Sequence, residues 1–159
     1  MDRKTRKQVL RMLFNGMYII TSRSGERYGA ATITWVSQAS FHPPLIMAAL
    51  RKDSTVFKCM VQSQIAVLNI LAQAQLDMAR KFFSRTRRRD EVFHGERVTA
   101  GITSAPVLQS APAYAECRVC RILDNVGDHA VVIMEVIDAQ CRENVQPLTV
   151  EDSPWKYGG

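Results

Sequence analysis

Apolar residues in short runs, many of them β-branched or aromatic, set the pattern of this chain and predict a mainly β fold. Runs of this composition and length are typical of strands. The predicted strands cover residues 17–21, 28–37, 45–50, 65–71, 113–123 and 129–141. Residues 24–26 and 124–128 are rich in turn formers, so the first pair and the last pair of strands are each expected to form a hairpin.

Three shorter segments show helical spacing of their apolar residues. Residues 5–14 place Val9, Leu10, Leu13 and Phe14 on one face and basic residues on the other, which predicts a helix docked on the core of its own chain. Asp53 and Ser54 can cap a short helix that runs to residue 60. Residues 73–83 have the same helical spacing. Residues 84–105 are charged and then rich in Gly, Thr and Ser, and they predict a long loop of the kind that often carries function.

The order of these elements indicates a small antiparallel barrel with helices packed outside. The strands do not alternate regularly with helices, which argues against a parallel doubly wound sheet. The length of 159 residues fits one domain, residues 1–159, with an N-terminal helix (1–14), the long loop (84–105) and a C-terminal tail (143–159). The last strand is apolar on both faces, so we expect it to be buried on both sides, as in a barrel wall that also forms an oligomer interface.

The excess positive charge is confined to two segments. Residues 1–11 carry five basic side chains and one acidic one, and residues 85–97 carry five and three, which together give the net charge of +6. We interpret these as solvated segments, with a field that attracts anionic flavin or nicotinamide phosphates as the alternative. A nucleic-acid partner is not expected, because such proteins spread basic residues over a face with aromatic residues between them.

The cysteines and histidines do not predict a metal site or a disulfide framework. Cys117 and Cys120 form a C-x-x-C, but residues three apart on a strand point to opposite faces. We therefore expect reduced structural thiols and a cytoplasmic protein. Arg11 and Asn15 interrupt the apolar run near the N-terminus, so no membrane segment is predicted. Motifs for hydrolytic triads, zinc proteases and phosphate-binding loops are absent, which favours chemistry carried by a cofactor.

The segment of residues 29–50, GAATITWVSQASFHPPLIMAAL, resembles the signature of the flavin reductase-like family. Its parts are a Thr/Ser-rich strand, Ser40, the pair Pro43-Pro44 and an apolar strand. Matching pieces follow in the family's order at residues 54–55, 67–71, 79–83, 105–108 and 127–129. The resemblance covers nearly the whole chain from Gly16 onward, and the order of the pieces makes it fairly specific.

The resemblance implies an FMN-binding split β-barrel, antiparallel and Greek-key-like, with flanking helices. It implies a homodimer with the flavin near the subunit interface, and FMN as cofactor with FAD as the alternative. The implied reaction is hydride transfer from NAD(P)H to the flavin, with onward transfer to a free flavin, a partner monooxygenase or another acceptor. The protein would supply orientation and electrostatics rather than an acid or a base.

Candidate flavin contacts lie on the predicted second strand and in the three residues that follow it, where hydroxyls and main-chain amides can bond the polar edge of the ring. They are Thr32, Ile33, Thr34, Trp35, Ser37, Gln38, Ala39 and Ser40. The alternative is that the threonines are simply good strand residues and that Trp35 belongs to the core. Many family members carry Asn where this chain has Trp35.

Candidate phosphate contacts lie where a strand runs into a helix N-terminus, which favours an anion. They are Arg51, Lys52, Ser54 and Thr55, with Lys81 as a further candidate. His129, accompanied by Gly127 and Asp128, is the candidate residue on the nicotinamide side of the flavin by resemblance. Tyr157 belongs to a tail that we expect to fold over the flavin site or a partner subunit, with an ordered end of no role as the alternative.

Two rival functions remain open from the sequence. The first is a flavin-binding electron carrier whose donor is not a nicotinamide. The second is a non-enzymatic basic module that binds nucleic acid through its two basic segments.

Overall fold

The computed structural model describes residues 1–89 and 91–159, and the part of the chain it describes is mainly β. Strand residues take up the segments that the apolar pattern marks, with further short strands between them. In the described ranges the strands are β1 Tyr18–Ser24, β2 Arg27–Ile33, β3 Val36–Ser40, β4 Leu45–Arg51, β5 Ile65–Ile70, β6 Arg88–Arg89, β7 Val92–Phe93, β8 Glu96–Ala100, β9 Pro106–Leu108, β10 Ala113–Leu123 and β11 His129–Cys141.

The helices in the same ranges are α1 Arg3–Arg11, α2 Thr55–Ser63 and α3 Leu76–Lys81, with a 3₁₀ turn at Gln73–Gln75. The Asp2 and Ser54 side chains accept hydrogen bonds from the first turns of α1 and α2 and so cap them. The prediction of a cap before α2 is confirmed, with Ser54 as the capping residue. No helix in the described residues is long and apolar enough to cross a membrane.

The strands form two antiparallel sheets. The larger has seven strands in the order β2-β1-β5-β10-β11-β4-β3, and the smaller has the order β6-β7-β8-β9. Both predicted hairpins are present, β1 with β2 and β10 with β11. The larger sheet is open, with β2 and β3 at its edges, so the expected class of an antiparallel, split β fold with flanking helices is confirmed.

Apolar clusters on both faces of β1 hold the fold together. Ile20 packs with Phe57 and Met60 of α2, while its neighbour Ile19 packs on the opposite face with Phe82 and Phe93. Consecutive strand residues point to opposite faces, so a strand that is apolar at both positions is buried from both sides. The two clusters place α2 on one face of the sheet and α3 with the smaller sheet on the other.

Three predictions about segments are wrong in detail. The predicted strand of residues 28–37 is two strands, because the chain leaves the sheet at Thr34 and Trp35. Residues 84–105 are not a loop throughout, since they contribute β6, β7 and β8 to the smaller sheet. All nine residues of α1 are described and none is buried, so this helix does not dock on the core as expected.

The two longest strands have the predicted bounds, and within one chain β11 is buried mainly in its first half. Its first half alternates buried with half-buried residues, and its end is largely exposed. Within one chain the second face is therefore only partly covered. All four cysteines are free, and Cys117 is buried while Cys120 is exposed, as the strand geometry predicts. Burial raises the pKa of the Cys117 thiol to about 12.

Candidate functional site

A cavity of about 740 Å³ opens where the ends of several strands meet the start of α2. A volume of this order suits a small-molecule or cofactor site. Its walls come from the end of β2 and the residues after it, the end of β4, the first residue of β11 and two loop segments. The lining residues include 30–35, 49–51, 53–56, 82–86, His129 and 155–157.

Strand register brings three of the predicted site residues to one edge of this cavity. In the β4–β11 pair, His129 lies directly opposite Arg51. The backbone amide of Ala49 donates to the carbonyl of Trp35 at 2.9 Å, which ties the residue after β2 to the same strand. Residues that are 78 positions apart in sequence, Arg51 and His129, are thereby fixed side by side by sheet pairing.

The N-terminus of α2 reaches the cavity because Gly29 lets it approach β2. A Cβ on Gly29 would lie 2.4 Å from the Cα and 2.5 Å from the backbone nitrogen of Val56. Such contacts are far shorter than any non-bonded packing distance. Ser54, Thr55 and Val56 therefore line the cavity, where first-turn amides and the helix dipole favour an anionic group.

Positive charge surrounds this end of the cavity. The described lining residues include one carboxylate, Asp53, and four Lys or Arg side chains: Arg51, Lys58, Arg85 and Lys156. Arg51 and Asp53 form an exposed ion pair at 2.7 Å, and the hydrogen bond from Arg51 lowers the pKa of that carboxyl. The remaining excess of cations fits an anionic ligand such as a phosphate.

Thr34 offers a hydroxyl with no protein partner. Its side chain lines the cavity at 7% exposure, and its Oγ1 is buried without a hydrogen bond to any described residue. Buried hydroxyls are almost always bonded, and an orphaned one costs free energy. The polar edge of an isoalloxazine ring would supply the missing partner, so the residues present fit a flavin.

Thr32 differs from Thr34 in that its polar groups are already used within the protein. Its hydroxyl donates to the carbonyl of Ala79 at 2.7 Å, and its amide donates to the carbonyl of Phe82 at 3.2 Å. These bonds tie β2 to α3 and hold one wall of the cavity. The Thr32 side chain therefore has a structural role as well as a place in the lining.

Three aromatic side chains pack together at the cavity mouth. The ring of Trp35 lies 4.7 Å from the ring of His129 and 5.2 Å from that of Tyr157, centroid to centroid. His129 Nδ1 bonds the Asp128 carboxylate at 2.8 Å, and its Nε2 bonds the Tyr157 hydroxyl at 3.0 Å. The hydrogen bond from His129 lowers the pKa of Asp128, and burial raises the pKa of Tyr157.

The structure brings most of the predicted site residues into one cavity. Those that line it are Thr32, Ile33, Thr34, Trp35, Arg51, Ser54, Thr55, His129 and Tyr157. The expectation that the tail covers this region agrees with its position, since residues 155–157 form part of the lining.

The other predicted residues lie outside that lining. Ser37 and Gln38, on the edge strand β3, line a second and smaller depression, and Ala39 and Ser40 follow them on the same strand. Lys52 does not line the cavity, and Lys81 is paired with Glu96 at 2.7 Å. Ser37, Gln38, Ala39 and Ser40 are not brought to the cavity of their own chain, because the chain turns away into β3 after Trp35. Lys52, in the turn between β4 and α2, and Lys81, held by Glu96, also lie outside the lining.

Sequence reasoning missed several residues of the cavity wall. Lys58 lies one turn into α2, where helical spacing from Ser54 would have placed it on the same side. Arg85 belongs to the basic segment 85–97. We interpret that segment as solvated, and the alternative interpretation, a field that attracts anionic phosphates, is the signal that points to Arg85. Phe83 and Trp155 pack edge to face, with centroids 4.8 Å apart, and no local pattern links two segments so distant in sequence.

Comparison with known proteins shows the family of this chain. Residues 10–156 match the flavin reductase like domain family, and the chain belongs to that family. It is similar to Diflavin flavoprotein A 1 of Synechocystis sp., with 35% identity over 79% of this chain and 22% of that protein. The chain thus spans about a fifth of the length of this curated relative.

Two further likenesses cover more of both chains. An FMN reductase (NADH), RutF, of Pseudomonas syringae pv. syringae is 28% identical over 82% of this chain and 71% of that protein. The crystal structure of a flavin reductase domain protein from Arthrobacter sp. FB24 has a TM-score of 0.82 at 23% identity. This structural match covers 98% of this chain and 99% of the Arthrobacter chain. The last likeness shows the shared fold.

Replacing Thr34 with Val removes the orphaned hydroxyl at nearly constant volume. We expect Thr34→Val to raise the free energy of unfolding of the apo protein by about 1 kcal/mol and to weaken FMN binding about five- to tenfold. Chemical denaturation and flavin fluorescence titration measure the two effects.

The matched control is Thr21→Val, whose buried hydroxyl contacts Pro106 and Asn69 and lies away from the cavity. That variant should lose stability and keep the wild-type affinity for FMN. Destabilisation by Thr34→Val with unchanged FMN affinity would contradict the assignment of Thr34 to the flavin.

Proposed function

We propose that this chain is a flavin-dependent oxidoreductase that binds FMN in the cavity and accepts hydride from NAD(P)H. The single observation that carries the proposal is the pairing of an orphaned hydroxyl, Thr34, with a helix N-terminus in one cavity. The first group fits the polar edge of the flavin ring, and the second fits its phosphate.

The residues of this chain would divide the ligand between them. Thr34 and the backbone after β2 would hold the polar edge of the flavin ring, with Trp35 beside that edge. Ser54, Thr55 and the first-turn amides of α2 hold the phosphate, with Arg51 and Lys58 adding positive charge. A bound flavin supplies the hydride acceptor, which no side chain of a protein can replace.

His129 is the residue that we place nearest the nicotinamide. It begins β11 beside Arg51, and its ring is fixed by Asp128 from one side. A fixed ring can orient a donor for direct transfer, and this gain in orientation is the main catalytic contribution we assign to the protein. The name of the relative FMN reductase (NADH) supports a nicotinamide donor, and both NADH and NADPH are to be tested.

We also propose that the active form is a homodimer. The edge strand β3 and its surroundings expose Phe41, Met47 and Ile137, and an open edge next to apolar side chains is suited to a second copy. The predicted contacts at Ser37, Gln38, Ala39 and Ser40 would then lie at or near that interface.

The electron acceptor would be a free flavin, a partner oxygenase or another acceptor. The four free cysteines fit a cytoplasmic setting, in which thiols stay reduced.

Anaerobic mixing of the FMN-loaded protein with NADH, and separately with NADPH, tests the reductase proposal. We expect loss of the visible flavin absorbance with at least one donor, at a rate that saturates with donor concentration. A protein that binds FMN but is bleached by dithionite and by neither nucleotide would be an electron carrier and not a reductase. A protein that binds no flavin but binds DNA in a strongly salt-dependent way would be a basic module.

A further inference from the structure

Segment 155–159, which follows the last turn of the described fold, crosses the cavity mouth and is held at two points. Trp155 packs on Phe83 at one end. At the other end Arg11 of α1 donates to the carbonyl of Gly158 at 3.1 Å, and Gly159 lies against Lys7. Gly158 and Gly159 have φ of +96° and +92°, which glycine adopts without strain. We call this segment the strap.

The strap carries one ring into the aromatic cluster. Tyr157 lies against Trp35, while about half of its surface stays exposed, at 46%. A planar ring inserted between two others needs about 3.5 Å on each side, so its neighbours must stand about 7 Å apart. Trp35 and Tyr157 are 5.2 Å apart, so no flat ligand can lie between them while the strap is in place.

The strap also uses the hydrogen-bonding capacity of His129. Both ring nitrogens are engaged, Nδ1 with Asp128 and Nε2 with the Tyr157 hydroxyl. A neutral imidazole has one donor and one acceptor, so it can offer nothing to a ligand in this state. A role for His129 toward the nicotinamide therefore requires that Tyr157 leaves.

We propose that Tyr157 occupies the nicotinamide position and that the donor displaces it, so that the strap sets the apparent affinity for NAD(P)H. This inference rests on the proposed function. The tyrosine ring stands against Trp35 and its hydroxyl bonds His129, which are the two contacts that an aromatic ring with a carboxamide would make. Trp155 remains anchored on Phe83, and the residues after it move.

The size of the effect follows from the fraction of molecules with an open strap. If one molecule in ten is open, the apparent Kd for the donor is about tenfold above its intrinsic value. Tyr157→Ala removes both contacts and is expected to lower the apparent Kd for the donor about five- to tenfold, with a change in FMN affinity of less than about twofold. Tyr157→Phe keeps the ring and loses the bond to His129, so its effect is expected to be about twofold.

Two measurements that do not depend on turnover test the displacement. In a Trp155→Phe background the remaining tryptophan is Trp35, and its fluorescence quenching by acrylamide in the apo protein should rise when Tyr157→Ala is added. In the FMN-loaded protein, unreactive NAD⁺ (or NADP⁺) should speed tryptic cleavage after the exposed Lys156 of the strap, which mass spectrometry detects as loss of residues 157–159. Glu151→Ala, at an exposed position before the strap, is the control for both.

The outcomes separate this inference from the proposed function. Slower tryptic cleavage after Lys156 when the nucleotide binds, or a weaker donor affinity in Tyr157→Ala, would show that the strap closes over the donor and would overturn the inference. Unchanged quenching of Trp35 would also overturn it, because Tyr157 would not cover that ring. Failure of the wild type to bind FMN would overturn the proposed function and this inference with it. Binding of FMN with unchanged quenching of Trp35 would overturn this inference alone.

Discussion

Replacing Phe82 with Ala is expected to lower the free energy of unfolding by about 3–5 kcal/mol, the largest loss among the changes considered. The ring is 1% exposed and belongs to the cluster that packs α3 and the smaller sheet on β1. Its backbone carbonyl also accepts the amide of Thr32, so relaxation around the void would reach the cavity wall. Urea unfolding followed by circular dichroism measures the change.

The neighbouring residue provides the control for this prediction. Phe83 is 51% exposed and packs edge to face on Trp155, so Phe83→Ala should cost less than about 1 kcal/mol. Equal losses of stability for the two variants would mean that the cluster of Ile19, Phe82 and Phe93 does not hold α3 on the sheet.

Gly29→Ala adds a single methyl group, yet it is expected to produce the largest loss of flavin binding among the variants considered. The added methyl would collide with backbone atoms of Thr55 and Val56, which cannot rotate away, so the start of α2 must shift. We expect a loss of stability of about 1–3 kcal/mol, as for other overpacked sites, and a rise in the Kd for FMN of more than about tenfold. Thermal unfolding and FMN fluorescence titration measure the two.

A second glycine serves as the control for this variant. Gly127 has open space around it, with the nearest atom 4.0 Å from the position of an added Cβ. Gly127→Ala should therefore leave both stability and FMN affinity near their wild-type values. If Gly29→Ala also kept its FMN affinity, the N-terminus of α2 would not be the phosphate site.

The elements of the larger sheet could be predicted from the sequence because most of them are short apolar runs rich in β-branched and aromatic residues, a composition typical of strands. Residues 113–123 and 129–141 have these bounds in the structure, and the cap at Ser54 marks the start of α2. The break at Thr34 and Trp35 could not be predicted, because both residues suit a strand and no Gly or Pro marks the interruption. The short strands β6 to β8 are likewise too short for a periodic signal.

The site was partly predictable for a related reason. Residues 32–35 and 51–55 are close in sequence to recognisable signals, a Thr-rich strand and a helix N-cap. Arg85 and Lys156 reach the cavity through long-range packing, which local patterns do not encode. The helix α1 shows the opposite case, since a clear amphipathic pattern meets no core within its own chain. No described residue of its apolar face is buried. The pattern therefore predicts the helix, but not which surface covers its apolar face.

A crystal structure of the protein grown with FMN tests the central claim most directly. We expect flavin density in the cavity, with the polar edge of the ring within hydrogen-bond distance of the Thr34 hydroxyl and the phosphate at the first turn of α2. Density for the flavin on the Ser37–Ser40 face with the cavity unfilled would contradict it. So would an FMN-saturated crystal in which Thr34 keeps no partner.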